Sequence, residues 1–122
     1  MENKNVVVLG ASPKPERYSN KAMKALINAG YNAIPVNPGQ NEIECVKCYR
    51  KLSEVQEKVH TVTLYVSPAH VTKMADEIIA LRPERIISNP GSESEIMAKK
   101  AEEAGILYME ACTLVLLSTG SF

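Results

Sequence analysis

The stretch VVVLGASPKPERYSNKAM, residues 6–23, holds the strand-to-helix transition on which the fold assignment depends. A β-branched run ends at Gly10, a loop of small and polar residues follows, and apolar residues recur at helical spacing from about residue 19. Ser19 is the predicted N-cap of this helix, and Gly30 is its predicted C-terminal stop. The segment therefore predicts a strand that leads through an unusually long loop into a helix.

The alternation of strand and helix patterns continues to the end of the chain. Further strands are predicted at residues 31–36, 60–66, 84–88 and 106–110. Further helices are predicted at 53–59, capped by Ser53, at 69–81, and at 92–104, where Ser92 and Glu95 resemble a capping box. Residues 40–52 read as polar and irregular, and the tail 111–122 is left unassigned.

Five strands separated by helices favour parallel pairing with crossover connections. The predicted fold class is α/β: a doubly wound, Rossmann-like, mainly parallel five-stranded sheet with helices on both faces, and with residues 6–9 in its central strand. No repeat or linker interrupts the pattern, so one domain spanning residues 1–122 is predicted.

Composition limits the classes of partner. The 122 residues include 14 Lys plus Arg and 14 Asp plus Glu, so the chain lacks the basic excess of nucleic-acid-binding proteins. No apolar run reaches the roughly 18 residues of a membrane span, and the N-terminus lacks the apolar core of a signal peptide. We expect a cytoplasmic protein with a small-molecule ligand and neither nucleic-acid nor membrane partners. The apolar tail at 114–117 leaves monomer and weak homodimer both open.

The three cysteines, Cys45, Cys48 and Cys112, are expected to be reduced thiols, because an odd count without a secretion signal argues against a disulfide framework. Cys45 and Cys48 form a C-x-x-C pair, but tetrahedral zinc needs a second pair that the sequence does not supply. The pair also does not resemble a redox motif at a helix start. No metal site is predicted.

Four predicted strands end in loops with residues suited to ligand binding. These loops begin with Gly10-Ala11-Ser12, Asn37-Pro38-Gly39, Ser67-Pro68 and Asn89-Pro90-Gly91. In an open α/β sheet, ligands bind outside the carboxyl ends of the strands. Small residues allow backbone N–H groups to approach a phosphate, and a helix N-terminus supplies further donors. Side-chain donors at residues 12–20 strengthen this pattern, which predicts an anion-binding loop. The alternative is that Gly and Pro only punctuate the strand-to-helix connections.

Two common phosphate-binding motifs do not fit. Gly10-Ala11-Ser12 does not continue as the Gly-x-Gly-x-x-Gly of dinucleotide-binding folds, and the second strand ends in Asn37 where an acidic residue would bind the ribose. No Gly-Lys-Ser/Thr of a P-loop follows. A phosphate-bearing nucleotide other than NAD is therefore favoured.

The residues VVVLGASPKPERYSNKAMKALINAGYNAIPVNPG, with CYRKLSEV, LYVSPAHV and a Cys at 112, resemble the CoA-binding domain family, small proteins related to the N-terminal domain of the succinyl-CoA synthetase alpha subunit. The resemblance implies a Rossmann-like fold that binds coenzyme A, with phosphate at the first turn. The sequence departs from many relatives at ISNPGSES and at Ala111. The phosphorylated histidine of the succinyl-CoA synthetase alpha subunit belongs to a second domain of that subunit. Neither His60 nor His70 corresponds to it.

The expected function is thus a binding module for CoA or an acyl-CoA, with no evident catalytic chemistry. Cys112 is a weak catalytic candidate: it could approach the CoA thiol and form a mixed disulfide, or it could be an apolar packing residue. Two alternatives are an NAD(P)-binding, oxidoreductase-like protein and a non-catalytic interaction subunit with vestigial loops. The candidate cofactor-binding residues are Gly10, Ala11, Ser12, Lys14, Arg17, Ser19, Asn20, Val36, Asn37, Pro38, Val66, Ser67, Pro68, Asn89, Pro90 and Gly91.

Overall fold

The computed structural model describes residues 3–122; the predicted domain span also includes Met1 and Glu2, which lie outside the described residues. The strands are β1 (Asn5–Leu9), β2 (Asn32–Val36), β3 (Glu42–Ile43), β4 (Val46–Lys47), β5 (Thr61–Leu64), β6 (Arg85–Ser88) and β7 (Leu107–Glu110). The helices are α1 (Tyr18–Asn28), α2 (Pro68–Ala80), α3 (Glu95–Glu103) and α4 (Thr113–Ser118).

Five strands form one parallel sheet in the order β2-β1-β5-β6-β7. The predicted α/β class, parallel sheet and Rossmann-like architecture are confirmed. The central position is occupied by β5, so the prediction of residues 6–9 as the central strand is wrong. Both strands are interior and buried on both faces, and a local pattern cannot distinguish their places in the sheet.

Helices cover both faces of the sheet. Helices α1 and α4 lie on one face, where Met23 and Leu26 pack against Val6 and Val8. Helices α2 and α3 lie on the other, where Ile78 and the buried residues near it pack against the opposite side of the same strands. Alternate residues of β1 thus enter two separate cores, as the period of a strand requires.

The edge strand β2 is covered by a segment that the sequence pattern did not resolve. Residues 40–52, predicted to be irregular, contain the antiparallel hairpin β3–β4. Tyr49 donates its N–H to the Pro35 carbonyl at 3.0 Å, and its own carbonyl accepts from the Asn37 N–H at 2.9 Å. Pro35 lies in an edge strand, where its missing N–H is tolerated.

Three predicted helix caps are wrong. Helix α1 begins at Tyr18 with Arg17 as N-cap, and Ser19 is buried in its first turn. The predicted helix after Ser53 is a single 3-10 turn, Leu52–Glu54, that contains this serine.

The third wrong cap is the box formed by Ser92 and Glu95. The N-cap of α3 is Ser94, whose side chain accepts a hydrogen bond from the Met97 N–H. The Ser92 hydroxyl instead donates to the Val66 carbonyl at 2.6 Å. Tertiary contacts therefore decided which of two nearby serines caps the helix.

The tail that the sequence left unassigned forms α4, which contacts α1. Phe122, four residues beyond the helix, meets the Tyr31 ring edge-on at 5.0 Å between centroids. Within residues 3–122, no helix combines the length and the apolar character needed to cross a bilayer.

Candidate functional site

The strand order reverses between β1 and β5, because the chain passes from β1 to β2 on one side and then returns to β5 on the other. Such a switch point leaves a crevice at the carboxyl ends of the two strands. Gly10 follows β1 with φ of +87°, and a Cβ there would lie 2.7 Å from the Tyr65 carbonyl oxygen beyond β5. Glycine is therefore required both by the backbone conformation and by the close approach.

A wide groove of about 710 Å³ opens at this crevice. It extends over the ends of β2, β1 and β5 and is bounded by α2 and the loop before the 3-10 turn. Its walls carry basic side chains from that loop and one acidic side chain from α2. The lining residues are Leu9, Gly10, Val36, Asn37, Pro38, Arg50, Lys51, Leu52, Tyr65, Val66, Ser67, His70, Met74 and Glu77.

A second cavity, of about 400 Å³, lies at the N-terminus of α1 and is called here the helix-head cavity. Among residues 3–122 no side chain caps this helix, and the Asn20 N–H donates to the Arg17 carbonyl, so the N–H groups of Tyr18 and Ser19 are the ones left to an anion. Lys14 and Arg17, both exposed, add two positive charges. The lining residues are Gly10, Ala11, Ser12, Pro13, Lys14, Arg17, Tyr18, Ser19, Asn37, Gln40 and Tyr65.

Two side-chain amides hold the loop after β1 in shape. Asn37 donates from Nδ2 to the Ala11 carbonyl at 2.7 Å and accepts from the Gly39 N–H at 2.7 Å. Asn20, fully buried in the first turn of α1, donates from Nδ2 to the Ser12 carbonyl at 2.9 Å. Both amides therefore act within the protein as positioning groups for the loop backbone.

A third cavity, of about 260 Å³, adjoins the first two and is called here the Cys112 cavity. It is bounded by the ends of β5 and β6, by the segment between β7 and α4, and by the start of α1. None of the described residues that line it carries an ionised side chain. These residues are Tyr18, Tyr65, Asn89, Pro90, Cys112 and Leu114.

A buried hydrogen-bond network fixes α4 beside this cavity. Asn89 donates from Nδ2 to the Thr63 hydroxyl at 2.6 Å and to the Leu64 carbonyl at 2.8 Å. Its Oδ1 accepts from the Thr113 N–H at 2.8 Å, and the hydroxyls of Thr63 and Thr113 lie 2.7 Å apart. The amide of Asn89 thus accepts the hydrogen bond of an N–H group in the first turn of α4, and its polar atoms are not directed at the cavity.

Tyr65 lines all three cavities. Its hydroxyl oxygen is buried and has no hydrogen-bond partner within the described chain. Burial raises the pKa of Tyr65 to about 12, although the nearby Thr113 and Thr63 hydroxyls, already bonded to each other, offset part of the rise. The ring is therefore neutral over the physiological range and presents carbon surface to the cavities.

Most of the predicted site residues lie on these cavities. The exceptions are Asn20, Pro68 and Gly91, which line none of the three. The other predicted residues of the first three loops line the wide groove or the helix-head cavity. Asn89, Pro90 and Cys112 line the Cys112 cavity.

Sequence reasoning missed several lining residues. Arg50 and Lys51 were assigned to an irregular stretch, and only the pairing of Tyr49 with the edge of β2 brings them to the groove. Tyr65 was placed inside the predicted strand 60–66, whereas β5 ends at Leu64, so the sequence pattern did not mark it as a loop residue. His70 was not among the candidate residues; it is exposed and lines the wide groove, where its Nδ1 lies 2.8 Å from the Ser67 hydroxyl.

The other thiols do not form a metal site in the described part of the chain, where no group of three or more His, Cys, Asp or Glu side chains could hold an ion. The three cysteines are free. Burial raises the pKa of the Cys48 thiol, and its hydrogen bond to the Asn37 carbonyl offsets part of that rise. Cys48 therefore contributes as a neutral packing group.

Comparison with known proteins identifies a family whose model matches this chain. A family model described as a CoA-binding domain matches residues 4–118. The uncharacterized protein YneT of Bacillus subtilis (strain 168) is 28% identical over 114 residues, which cover 93% of this chain and 84% of YneT.

Two further similarities differ in extent. The ADP-forming acetate–CoA ligase I of Archaeoglobus fulgidus is 34% identical over 74 residues, which cover 61% of this chain and only 11% of the ligase. A crystal structure of an uncharacterized protein, 36% identical, matches with a TM-score of 0.93 over 100% of both chains. The match to the ligase thus involves about a tenth of that enzyme.

Proposed function

The chain belongs to the CoA-binding domain family, and from this premise we propose that it binds coenzyme A or an acyl-CoA at the three connected cavities. The nucleotide occupies the wide groove and the helix-head cavity, and the pantetheine arm extends towards the Cys112 cavity. The proposed role is that of a binding module, with the predicted residues of the four loops forming the walls.

The observation that carries the proposal is the separation of charge along the site. Lys14 and Arg17 line the helix-head cavity, and Arg50 and Lys51 line the wide groove. The Cys112 cavity has no ionised side chain among its described lining residues. CoA has the same asymmetry, because its phosphates are all on the nucleotide and its pantetheine arm is uncharged.

The distance between the two ends also suits a long ligand. The basic groove begins over β2, and the uncharged cavity lies over β6 and β7. Strands are about 4.8 Å apart, so three to four intervals separate the ends by roughly 14–19 Å. A ligand held by its diphosphate at α1 would therefore have to extend in both directions to fill the site.

The diphosphate fits the head of α1 for a physical reason. The N–H groups of the first turn and the dipole of an 11-residue helix both favour an anion there. Arg17 and Lys14 lie within the same cavity. The 3′-phosphate of CoA would then face Arg50 and Lys51, so dephospho-CoA is expected to bind more weakly than CoA.

Isothermal titration calorimetry with CoA, dephospho-CoA, NAD and NADP tests the proposal. We expect saturable binding of CoA, weaker binding of dephospho-CoA, and no binding of the nicotinamide nucleotides. Binding of NADP without CoA would contradict the proposal and favour the oxidoreductase-like alternative. Absence of any binding would favour an interaction subunit with vestigial loops.

A further inference from the structure

The Cys112 cavity has a chemical character that the nucleotide does not require. Its walls are two tyrosine rings, a proline, a leucine and a thiol, together with Asn89. The amide of Asn89 makes three hydrogen bonds inside the protein: its Nδ2 donates two and its Oδ1 accepts one. The cavity therefore offers a ligand mainly carbon and sulfur surface.

Three polar wall groups remain, the hydroxyls of Tyr18 and Tyr65 and the thiol of Cys112, and of these the Tyr65 hydroxyl is also turned away from the cavity. The Tyr65 hydroxyl oxygen is fully buried, so Tyr65 exposes only part of its ring. Tyr18, which is 69% exposed, forms an outer wall shared with the helix-head cavity. An occupant can thus enter from the helix-head cavity, past Tyr18, without passing a charged side chain of the cavity itself.

We propose that the Cys112 cavity receives the acyl group of a short, uncharged acyl-CoA, and that it discriminates against acyl groups that carry a carboxylate. This inference rests on the proposed function, which places the thiol end of CoA at this cavity. It goes further, because it names acyl-CoA rather than free CoA as the preferred ligand.

The physical basis is the cost of desolvating charge. A carboxylate moved into a cavity whose described walls carry no cation loses hydration and gains no counter-charge. A methyl or methylene group at the same place gains free energy by leaving water. Each methylene that is buried should tighten binding on the order of fourfold until the space of about 260 Å³ is filled.

The test is a calorimetric series on the whole chain with CoA, acetyl-CoA, butyryl-CoA and succinyl-CoA. We expect affinity to rise from CoA to acetyl-CoA to butyryl-CoA, and succinyl-CoA to bind at least tenfold more weakly than butyryl-CoA. Equal affinities across the series, or a preference for succinyl-CoA, would overturn the inference.

Two substitutions locate the effect. Leu114→Trp fills the cavity from α4 and should abolish the preference for acyl-CoA over CoA. Val115→Trp is the matched control, because Val115 is the next residue of the same helix, is 55% exposed and does not line the cavity. It should keep the full preference, and the inference fails if both variants behave alike.

A second variant guards against loss of folding. Cys112→Met enlarges another side chain of the cavity wall and should also remove the preference, with folding checked by thermal denaturation. If CoA itself does not bind to the unaltered chain, the proposed function fails. If CoA binds but acyl groups contribute nothing, only the present inference fails.

Discussion

The buried amide of Asn20 joins the loop after β1 to the β3–β4 hairpin, because its Nδ2 donates to the Ser12 carbonyl and to Glu44 Oε2, each at 2.9 Å. Glu44 lies in the hairpin turn with φ of +52°, a conformation that is uncommon for a residue with a side chain. The hairpin therefore braces the loop after β1 from the side, across 24 residues of sequence.

This brace predicts different outcomes for two Glu44 variants. Glu44→Ala removes an acceptor from a half-buried charge-assisted hydrogen bond and should lower the free energy of unfolding by about 1–2 kcal/mol. Glu44→Gln keeps an acceptor oxygen and should recover about half of the loss. Urea denaturation measures both. Glu42→Ala, at an exposed position of the same hairpin, is the control, and an equal loss there would refute the brace.

A close backbone approach at Gly10 predicts a large cost for one added methyl group. Gly10→Ala and Gly91→Ala both place alanine at positive φ, which costs roughly 1–2 kcal/mol. Only at Gly10 does the new Cβ meet backbone, 2.7 Å from the Tyr65 carbonyl oxygen; at Gly91 no described atom lies within 4 Å. Gly10→Ala should therefore be less stable than Gly91→Ala by about 1–3 kcal/mol in thermal or urea unfolding.

The hydrogen-bond network around Asn89 predicts that the stability of the fold depends on this one side-chain amide. Asn89→Ala removes three buried hydrogen bonds and leaves the Thr113 N–H without its acceptor. The expected loss of unfolding free energy is about 3–5 kcal/mol. Asn32→Ala, which removes one exposed bond to Asn5, should cost less than about 0.5 kcal/mol. Similar losses for the two variants would show that the network does not stabilise the fold.

The hydroxyl of Tyr65 predicts stability that depends on alkaline pH. Because burial raises its pKa from 10.0 to about 12, the folded state holds the proton more tightly than the unfolded state. Ionisation of the buried hydroxyl therefore destabilises the folded state: it leaves the free energy of unfolding unchanged below pH 10 and lowers it, by up to roughly 3 kcal/mol, as pH rises from 10 through about 12. Tyr65→Phe should lack this decrease, so the wild-type minus variant difference in unfolding free energy should fall between pH 9 and 12.

The same variant has an expected effect at neutral pH. Since the Tyr65 hydroxyl is buried and has no partner in the described chain, phenylalanine removes an uncompensated polar group. Tyr65→Phe should therefore be equal to wild type or more stable by about 1 kcal/mol at pH 7. A loss of more than 1 kcal/mol would show that the hydroxyl is hydrogen-bonded in solution.

The guanidinium of Arg17 predicts the contribution of the helix-head cavity to binding. Arg17→Ala should weaken CoA binding by about 1–3 kcal/mol, as expected for the loss of a charge-assisted bond to phosphate. Lys24→Ala removes the same charge from an exposed position on α1 that lines none of the three cavities, and it should change affinity by less than about 0.5 kcal/mol. An unchanged Kd for Arg17→Ala in calorimetry would place Arg17 outside the site.

Much of the site follows from the sequence, because alternation of strand and helix implies parallel strands whose carboxyl ends lie at one edge. Gly10, Asn37, Ser67 and Asn89 could be grouped on that basis although they are far apart in the chain. Their chemical roles could not. Asn37 and Asn89 were expected to face a ligand, whereas their amides are engaged with backbone and α4.

The fold class, the number of strands in the main sheet and the loops that reach the crevice could be predicted from residue patterns, because these depend on local periodicity and on turn residues. Three features emerged only from the folded chain: β5 is the central strand, Ser94 rather than Ser92 caps α3, and Arg50 and Lys51 reach the groove. The physical reason is that strand order, cap choice and loop placement are settled by contacts between distant residues, such as Tyr49 with Pro35 and Ser92 with Val66, and these contacts leave no periodic signal in the chain.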